Sequence, residues 1–472
     1  MLTALPFSWF FHPQGIMDFK LMDGKFDFYP ILVSGVFVFL FGLVISFLTS
    51  TARKTTTKKE GYLIVTFSWI VISFFGALPF YLSGFFESYT DAFFETISGF
   101  TTTGASILND IEALPQGLLF WRSLTHWIGG MGIIVLSVAI LPLLGIGGMQ
   151  LFSAEAPGPT TDKIHPKVRE MAKRLWAIYV ILTLIQTVLL MLGNMSFFDA
   201  ICHAFATMAT GGFSTQNTSI AAYSPYIQYV IIVFMILAGT SFSLHYFLWN
   251  RKFQKIRRNE EFLLYSSIIV IVSVFIAIGL MVKMDMNMES AFRDSLFQVV
   301  SILTTTGFVT ADYLLWPSGL WMLLFMLFFI GGSAGSTGGG VKVVRILILI
   351  KNSSLEFRRL IHPQAIIPVR LNHKPVPPKI VFVVISFFLF YIASFAVGSV
   401  VMSALGLDFE SAIGASASSI GNIGPALGSL GPVNNYAQLP DFGKWFLSFL
   451  MLLGRLEIFT VLIIFSPSFW HK

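Results

Sequence analysis

Charge is scarce in this sequence. Only 11% of its 472 residues are Asp, Glu, Lys or Arg, against roughly 25% in a soluble domain. One cysteine, Cys202, excludes an intramolecular disulfide and any cysteine-clustered zinc site. The eight histidines show no HExxH-type spacing, and neither a G-x-x-x-x-G-K-[ST] loop nor a G-x-G-x-x-G fingerprint occurs, so a bound nucleotide belongs to a partner. The first thirty residues carry Pro6, Pro13 and broken apolar stretches, unlike a cleavable signal peptide. What is abundant is apolar: 55% hydrophobic residues, fifty of them phenylalanine, more than one core buries. The chain therefore reads as an all-α polytopic membrane protein. Its net charge of +6 does not indicate nucleic acid, because the basic residues sit in short segments between apolar runs.

Runs long enough for a roughly 30 Å hydrocarbon core lie near 30–48, 61–83, 118–145, 174–193, 226–249, 262–282, 318–350, 379–405 and 442–465. The joining segments divide by charge. Residues 49–60, 146–174, 250–261 and 342–379 are rich in Lys and Arg, whereas 84–117, 194–225, 284–317 and 406–441 together hold one base, Arg293. The first set is expected in the cytoplasm. The outer set carries acids, including Asp91, Glu95, Glu112 and Asp199, either as a field that concentrates cations or because bases are excluded there.

Each outer segment contains a run too short to span and too apolar for a loop. The four runs are DAFFETISGFTTTGAS (91–106), DAICHAFATMATGGFS (199–214), DSLFQVVSILTTTGFV (294–309) and SAIGASASSIGNIGPA (411–426). Thirteen positions separate Asp91 from Gly104, Asp199 from Gly212, Asp294 from Gly307 and Ser411 from Gly424. This is a fourfold unit of span, half-span, turn, span. About ten helical residues rise roughly 15 Å, half the apolar thickness. Each half-helix is thus expected to start outside, with its Asp or Ser as N-cap, and to end near the midplane. Four C-terminal poles meeting there favour a cation. Non-helical backbone at that depth is tolerated only beside a water-filled path. Rings of carbonyls at such turns replace a hydration shell, as K⁺ filters do. Glu95 and His203 are expected to be hydrogen-bonded inside the outer half and not to be ligands.

The span 318–350 is about a dozen residues too long for one crossing. Its middle holds Gly331, Gly332, Gly335, Gly338, Gly339 and Gly340, each costing a helix about 1 kcal/mol relative to alanine. A GxxxG packing face explains two or three of these, not six. An unwound loop across the cytoplasmic side of the path, acting as a gate, explains all. Arg455, in the last span, costs at least about 2.5 kcal/mol unless partnered, and free loop carbonyls are the expected partners, Glu457 lying on another helical face.

With these motifs in view, the sequence resembles the TrkH subunits of bacterial potassium-uptake systems, in the superfamily that includes KtrB and the plant HKT transporters. The resemblance runs from about residue 60 to the C-terminus. It rests on the four turns and on HWIGGMGIIVLSVAILPLLGIGGMQL (126–151), AEAPGP (154–159), GGSAGSTGGGVKVVRIL (331–347) and GRLEIFTVLIIFSPSFW (454–470). It implies four pseudo-symmetric M1-P-M2 repeats around one central pore, over 59–150, 151–256, 257–352 and 353–472, after an N-terminal helix region, 1–58. It also implies an inner-membrane homodimer and a cytoplasmic TrkA-like nucleotide-binding ring, docked on basic segments such as 250–258 and 351–374. This chain itself binds no cofactor; K⁺ is cargo. Carried over, the ion-facing carbonyls belong to Thr102 and Thr103, Thr210 and Gly211, Thr305 and Thr306, and Asn422 and Ile423, each pair preceding Gly104, Gly212, Gly307 or Gly424. No serine replaces any of those glycines, which favours K⁺ over Na⁺. TrkH proteins usually carry two helices before the first repeat; here only 30–48 is long enough, and residues 1–29 read as the tail of a missing one.

Two rival classes remain to be set aside. GGSAG (331–335) matches the G-x-S-x-G of serine hydrolases, but it follows WMLLFMLFFI inside a span, without the strand a nucleophile elbow needs. A secondary cation carrier with alternating access would show inverted repeats and buried midplane carboxylates. The four repeats run in one direction and their turns lack acids, so a pore is favoured and no enzymatic activity is expected.

Overall fold

In the computed structural model residues 1–10, 27–51, 57–136, 164–365 and 367–471 are described. AEAPGP and the second half of the 126–151 motif lie outside them. The chain is a helical, multi-pass membrane protein. Among the described residues six helices are long and apolar enough to cross a bilayer: Phe28–Leu48, Lys58–Leu82, Gln116–Val135, Glu170–Leu192, Glu260–Met284 and Pro378–Ala404. Their lipid-ready faces are large exposed side chains such as Phe39, Phe47, Leu184, Ile271 and Leu389, whose solvent is hydrocarbon.

The three remaining apolar runs do not form straight helices. Pro225–Gly239 and Phe242–Trp249 meet at 99°, and Asp441–Arg455 meets Phe459–Phe465 at 111°. The second bend falls where Glu457 and Ile458 take positive φ, 61° and 25°, which a helix cannot carry. The run 318–350 divides into a helix Ser318–Leu327, a glycine-rich non-helical stretch, and a helix Val343–Ile361 that continues past the run's end.

Between successive spans lie four half-helices, Tyr89–Phe100, Phe197–Met208, Met288–Leu303 and Phe409–Gly421. Their capping differs from the sequence expectation. Ser88, Ser196, Asn287 and Asp408 are the N-caps, accepting from the backbone N–H of Asp91, Asp199, Ser290 and Ser411. Asp91 and Asp199 sit three residues inside, where their carboxylates accept from the capping serine hydroxyls at 2.9 and 2.7 Å and face the positive helix pole. Asp294 lies a further turn in, because the third half-helix starts earlier. The signal in the sequence is a serine or aspartate three residues before Asp91, Asp199 and Ser411, and an asparagine seven before Asp294.

Two buried apolar clusters hold the half-helices. One joins the first and fourth units through residues such as Phe94, Phe100, Leu447 and Met451. The other joins the second, third and fourth through residues such as Phe297, Val300 and Ile423. The N-terminal helix Leu5–Phe10 seats on the first unit: Phe7 stacks on Phe120 at 4.0 Å, and Asp27 accepts from Ser8 and from the N–H of Leu118.

Candidate ion pathway

Each half-helix ends in the same turn. The N–H of Thr102 bonds Gly99 O and that of Thr103 bonds Ser98 O; Thr210 and Gly211 bond Thr207 and Ala206 in the same way, Thr305 and Thr306 bond Ile302 and Ser301, and Asn422 and Ile423 bond Ser419 and Ser418. This is a left-handed helix ending of the Schellman type. Its left-handed residue is Thr102 (φ 52°), Thr210 (54°), Thr305 (57°) or Asn422 (55°), followed two positions on by Gly104 (82°), Gly212 (80°), Gly307 (81°) or Gly424 (102°). Positive φ at the glycines is what their lack of a β-carbon permits. Threonine is β-branched and avoids this region at a cost of about 1–3 kcal/mol, so no propensity argument would have found it.

The consequence is a row of free oxygens. The turn's N–H groups are spent on the last helical carbonyls. Among the described hydrogen bonds none is accepted by the carbonyls of Thr102, Thr103, Thr210, Gly211, Thr305, Thr306, Asn422 or Ile423. Buried polar groups are otherwise almost always paired. The turns also form a closed ring. A methyl group built on Gly104 would strike Gly211 O, one on Gly212 would strike Thr306 O, one on Gly307 Ile423 O, and one on Gly424 Thr103 O. The order 1, 2, 3, 4 and back to 1 brings all twelve residues named from the sequence around one axis.

Beneath the ring lies the glycine loop. Gly339 N donates to Thr305 Oγ1 at 2.6 Å, Thr337 Oγ1 donates to Met208 O at 3.0 Å and Ala238 O at 3.2 Å, and Ser333 N donates to Gly239 O at 2.9 Å. Gly335 and Gly340 take φ of 76° and 62°. Arg455, the last helical residue before the 111° bend, donates to Thr337 O at 2.7 Å and to Gly129 O at 3.3 Å. The loop thus touches elements of the second, third and fourth units, and Arg455 links it to Gly129 of the first. Glu457 pairs instead with Arg345, whose guanidinium lies 3.9 Å from the Phe387 ring centre. Lys342 donates to Gly338 O, so Lys342 and Arg345, grouped by sequence with the cytoplasmic charges, hold the loop and its exit helix internally.

Several supporting residues were not singled out from sequence. Glu261 accepts from Ala334 N at 2.6 Å, fixing the loop from the third unit. Lys444 pairs with Asp91 at 2.6 Å, tying the fourth unit to the first half-helix. Glu95 accepts from Arg122 Nε at 2.6 Å, Ser106 Oγ at 2.9 Å and Ile107 N at 3.0 Å, while Arg122 also donates to Ser214 O at 2.9 Å. His203 bonds Asp199 O at 2.7 Å and Ser214 Oγ at 2.9 Å. Glu95 and His203 are therefore partnered inside the protein. A lone base in an apolar helix, such as Arg122, is the signal that would have found this network. Replacing Arg122 by leucine strands the buried Glu95 carboxylate and should destabilise the protein by about 3–5 kcal/mol, read as a lowered detergent melting temperature. The Glu95→Leu, Arg122→Leu double variant should recover most of that loss.

The chain matches the TrkH family, described as cation transport proteins, over residues 30–472. It is 43% identical to the Trk system potassium uptake protein TrkH of Halomonas elongata, over 89% of this chain and 88% of that one. To the protein of the same description from Escherichia coli K12 it is 43% identical, over 88% and 86%. The fold is similar to the crystal structure of the potassium transporter TrkH from Vibrio parahaemolyticus, with a TM-score of 0.84, 38% identity, and 94% and 92% of the two chains covered.

Proposed function

Since the chain belongs to the TrkH family of cation transport proteins, we propose that it carries out potassium uptake across the bacterial inner membrane, with the ring of turn carbonyls as its selectivity filter. The observation that carries this reading is the set of eight buried carbonyls that accept no described protein hydrogen bond. Backbone oxygens in a low-dielectric site can replace the water around a weakly hydrated monovalent cation. The names of the relatives, potassium uptake proteins, support K⁺ as the ion. Purified protein in sealed liposomes should therefore take up Rb⁺, and external K⁺ should compete while Na⁺ at equal concentration does not. Equal competition by both ions would defeat the reading, and uptake that requires an imposed Na⁺ or proton gradient would favour a coupled carrier.

The glycine loop, Gly331–Gly340, is the gate of this pathway. Its hydrogen bonds to Thr305, Met208, Ala238 and Gly239 support a closed position under the filter, and Arg455 is its latch. Regulation belongs to a cytoplasmic nucleotide-binding ring of the TrkA type, and the working unit is a homodimer. Arg251, Lys252, Lys255, Arg257 and Arg258 form the basic docking segment. Neutralising these five side chains should abolish co-purification with the cognate ring protein while leaving Rb⁺ uptake measurable. Undiminished co-purification would remove this segment from the interface.

A further inference from the structure

The four turns are not braced alike. In the first, Thr103 Oγ1 lies 2.8 Å from Thr101 Oγ1; in the third, Thr306 Oγ1 lies 2.7 Å from Thr304 Oγ1. In the fourth, the Ile423 side chain folds over Gly421, its Cδ1 3.0 Å from where a β-carbon there would stand. In each of these turns the residue before the shared glycine leans on the residue two positions earlier. The second turn has Ala209 and Gly211 at those places and so has no side chain to do this.

His126 fills the gap. It comes from the helix Gln116–Val135 and is fully buried. A methyl group on Gly211 would overlap its ring. The imidazole stacks on Phe213, next after the second shared glycine, with centroids 3.9 Å apart and planes at 13°. One turn earlier on the same helix, the Arg122 guanidinium lies 3.5 Å from the Phe213 ring centre and bonds Ser214 O. Among the described residues neither His126 nitrogen has a hydrogen-bond partner, although a buried polar atom left unpaired costs about 1–3 kcal/mol. A ring kept at that cost, in contact with two residues of the turn, acts by its shape. Gly211 is the complement of that shape.

We propose that His126 is a positioning residue for ion selectivity: its ring substitutes, from outside the turn, for the side-chain brace that the other three turns carry themselves. This rests on the filter reading above and deepens it. Emptying the position leaves a cavity behind the Gly211 carbonyl, into which a densely packed turn relaxes. An oxygen displaced in one quarter of the ring weakens discrimination between ions of different size.

The test compares three proteins with the wild type in Rb⁺ uptake competed by K⁺ or Na⁺, each checked by size-exclusion profile and melting temperature. His126→Ala should lower K⁺ over Na⁺ discrimination by roughly tenfold, about 1.4 kcal/mol. Adding Ala209→Thr and Gly211→Thr to His126→Ala installs the hydroxyl pair of the first and third turns and should restore discrimination to within about twofold of wild type. A structural role alone would move the melting temperature and leave this ratio in place. Gly104→Ser, in a different turn, separates the two ideas. Wild-type discrimination in His126→Ala, with discrimination lost in Gly104→Ser, overturns the role of His126 and spares the filter. Wild-type discrimination in both overturns both. If His126→Ala does not fold, the triple variant decides: discrimination near wild type supports the substitution of braces, and poor discrimination overturns it.

Discussion

Serine at Gly104 or Gly307 is expected to reduce K⁺ over Na⁺ discrimination by at least about tenfold, a cost of roughly 1.4 kcal/mol, while uptake itself persists. Two effects act together. The glycines hold φ of 82° and 81°, where a residue with a β-carbon is strained by about 1–3 kcal/mol. That β-carbon would also press on Gly211 O or Ile423 O in the neighbouring turn, so the carbonyl displaced is one that we propose faces the ion. Flux assays with Rb⁺ competed by K⁺ and Na⁺ measure the result. Unchanged discrimination in both variants would remove these turns from ion selection. The paired character of the damage is specific to a closed ring: a change at Gly104 is transmitted to the second unit, and one at Gly307 to the fourth.

Much of this architecture was legible because it repeats. The interval from Asp91 to Gly104 recurs three times, and a period is visible even where no single turn would be. The charge segregation between alternate segments was equally plain, since it reflects a rule of insertion and not of packing. What escaped the sequence depends on three-dimensional contact. The left-handed threonines Thr102, Thr210 and Thr305 contradict local preference and are held by their surroundings. The partners Glu95 and Arg122 lie 27 residues apart and Lys444 lies 353 from Asp91, distances over which no periodicity points. The break at Glu457 and Ile458 fell inside what reads as one apolar run, because hydropathy registers depth in the bilayer and not backbone direction.

Changing Arg455 to alanine, or deleting Gly335–Gly339, is expected to raise basal K⁺ flux in the absence of the cytoplasmic ring, with discrimination between K⁺ and Na⁺ unchanged. Arg455 carries a charge deep in the protein and spends it on two backbone carbonyls, Thr337 O and Gly129 O. Hydrogen bonds to a charged donor contribute about 1.5–3 kcal/mol each, so losing the pair shifts a closed loop towards open by about tenfold or more. In Arg455→Ala the loop's remaining anchors, Glu261 to Ala334 N and Thr305 to Gly339 N, keep it from unfolding altogether; the deletion retains the Ala334 anchor. Selectivity is spared because the carbonyl ring is set by the half-helix endings and not by the loop. Liposome flux of the purified variants, normalised to protein incorporated, makes the comparison. Basal flux at the wild-type level in both well-folded variants would make the glycine loop a packing element.

The central claim is that the free carbonyls of the four turns hold the ion, and its most direct measurement is the position of a heavy K⁺ substitute. Crystals of the protein grown in Rb⁺ or Tl⁺ should give anomalous density on the axis of the ring, level with the carbonyls of Thr102 and Thr103, Thr210 and Gly211, Thr305 and Thr306, and Asn422 and Ile423. That density should vanish when Na⁺ replaces the heavy ion. Density confined to the outer carboxylates, at Glu112 and Asp199, with none on the axis, would contradict the account.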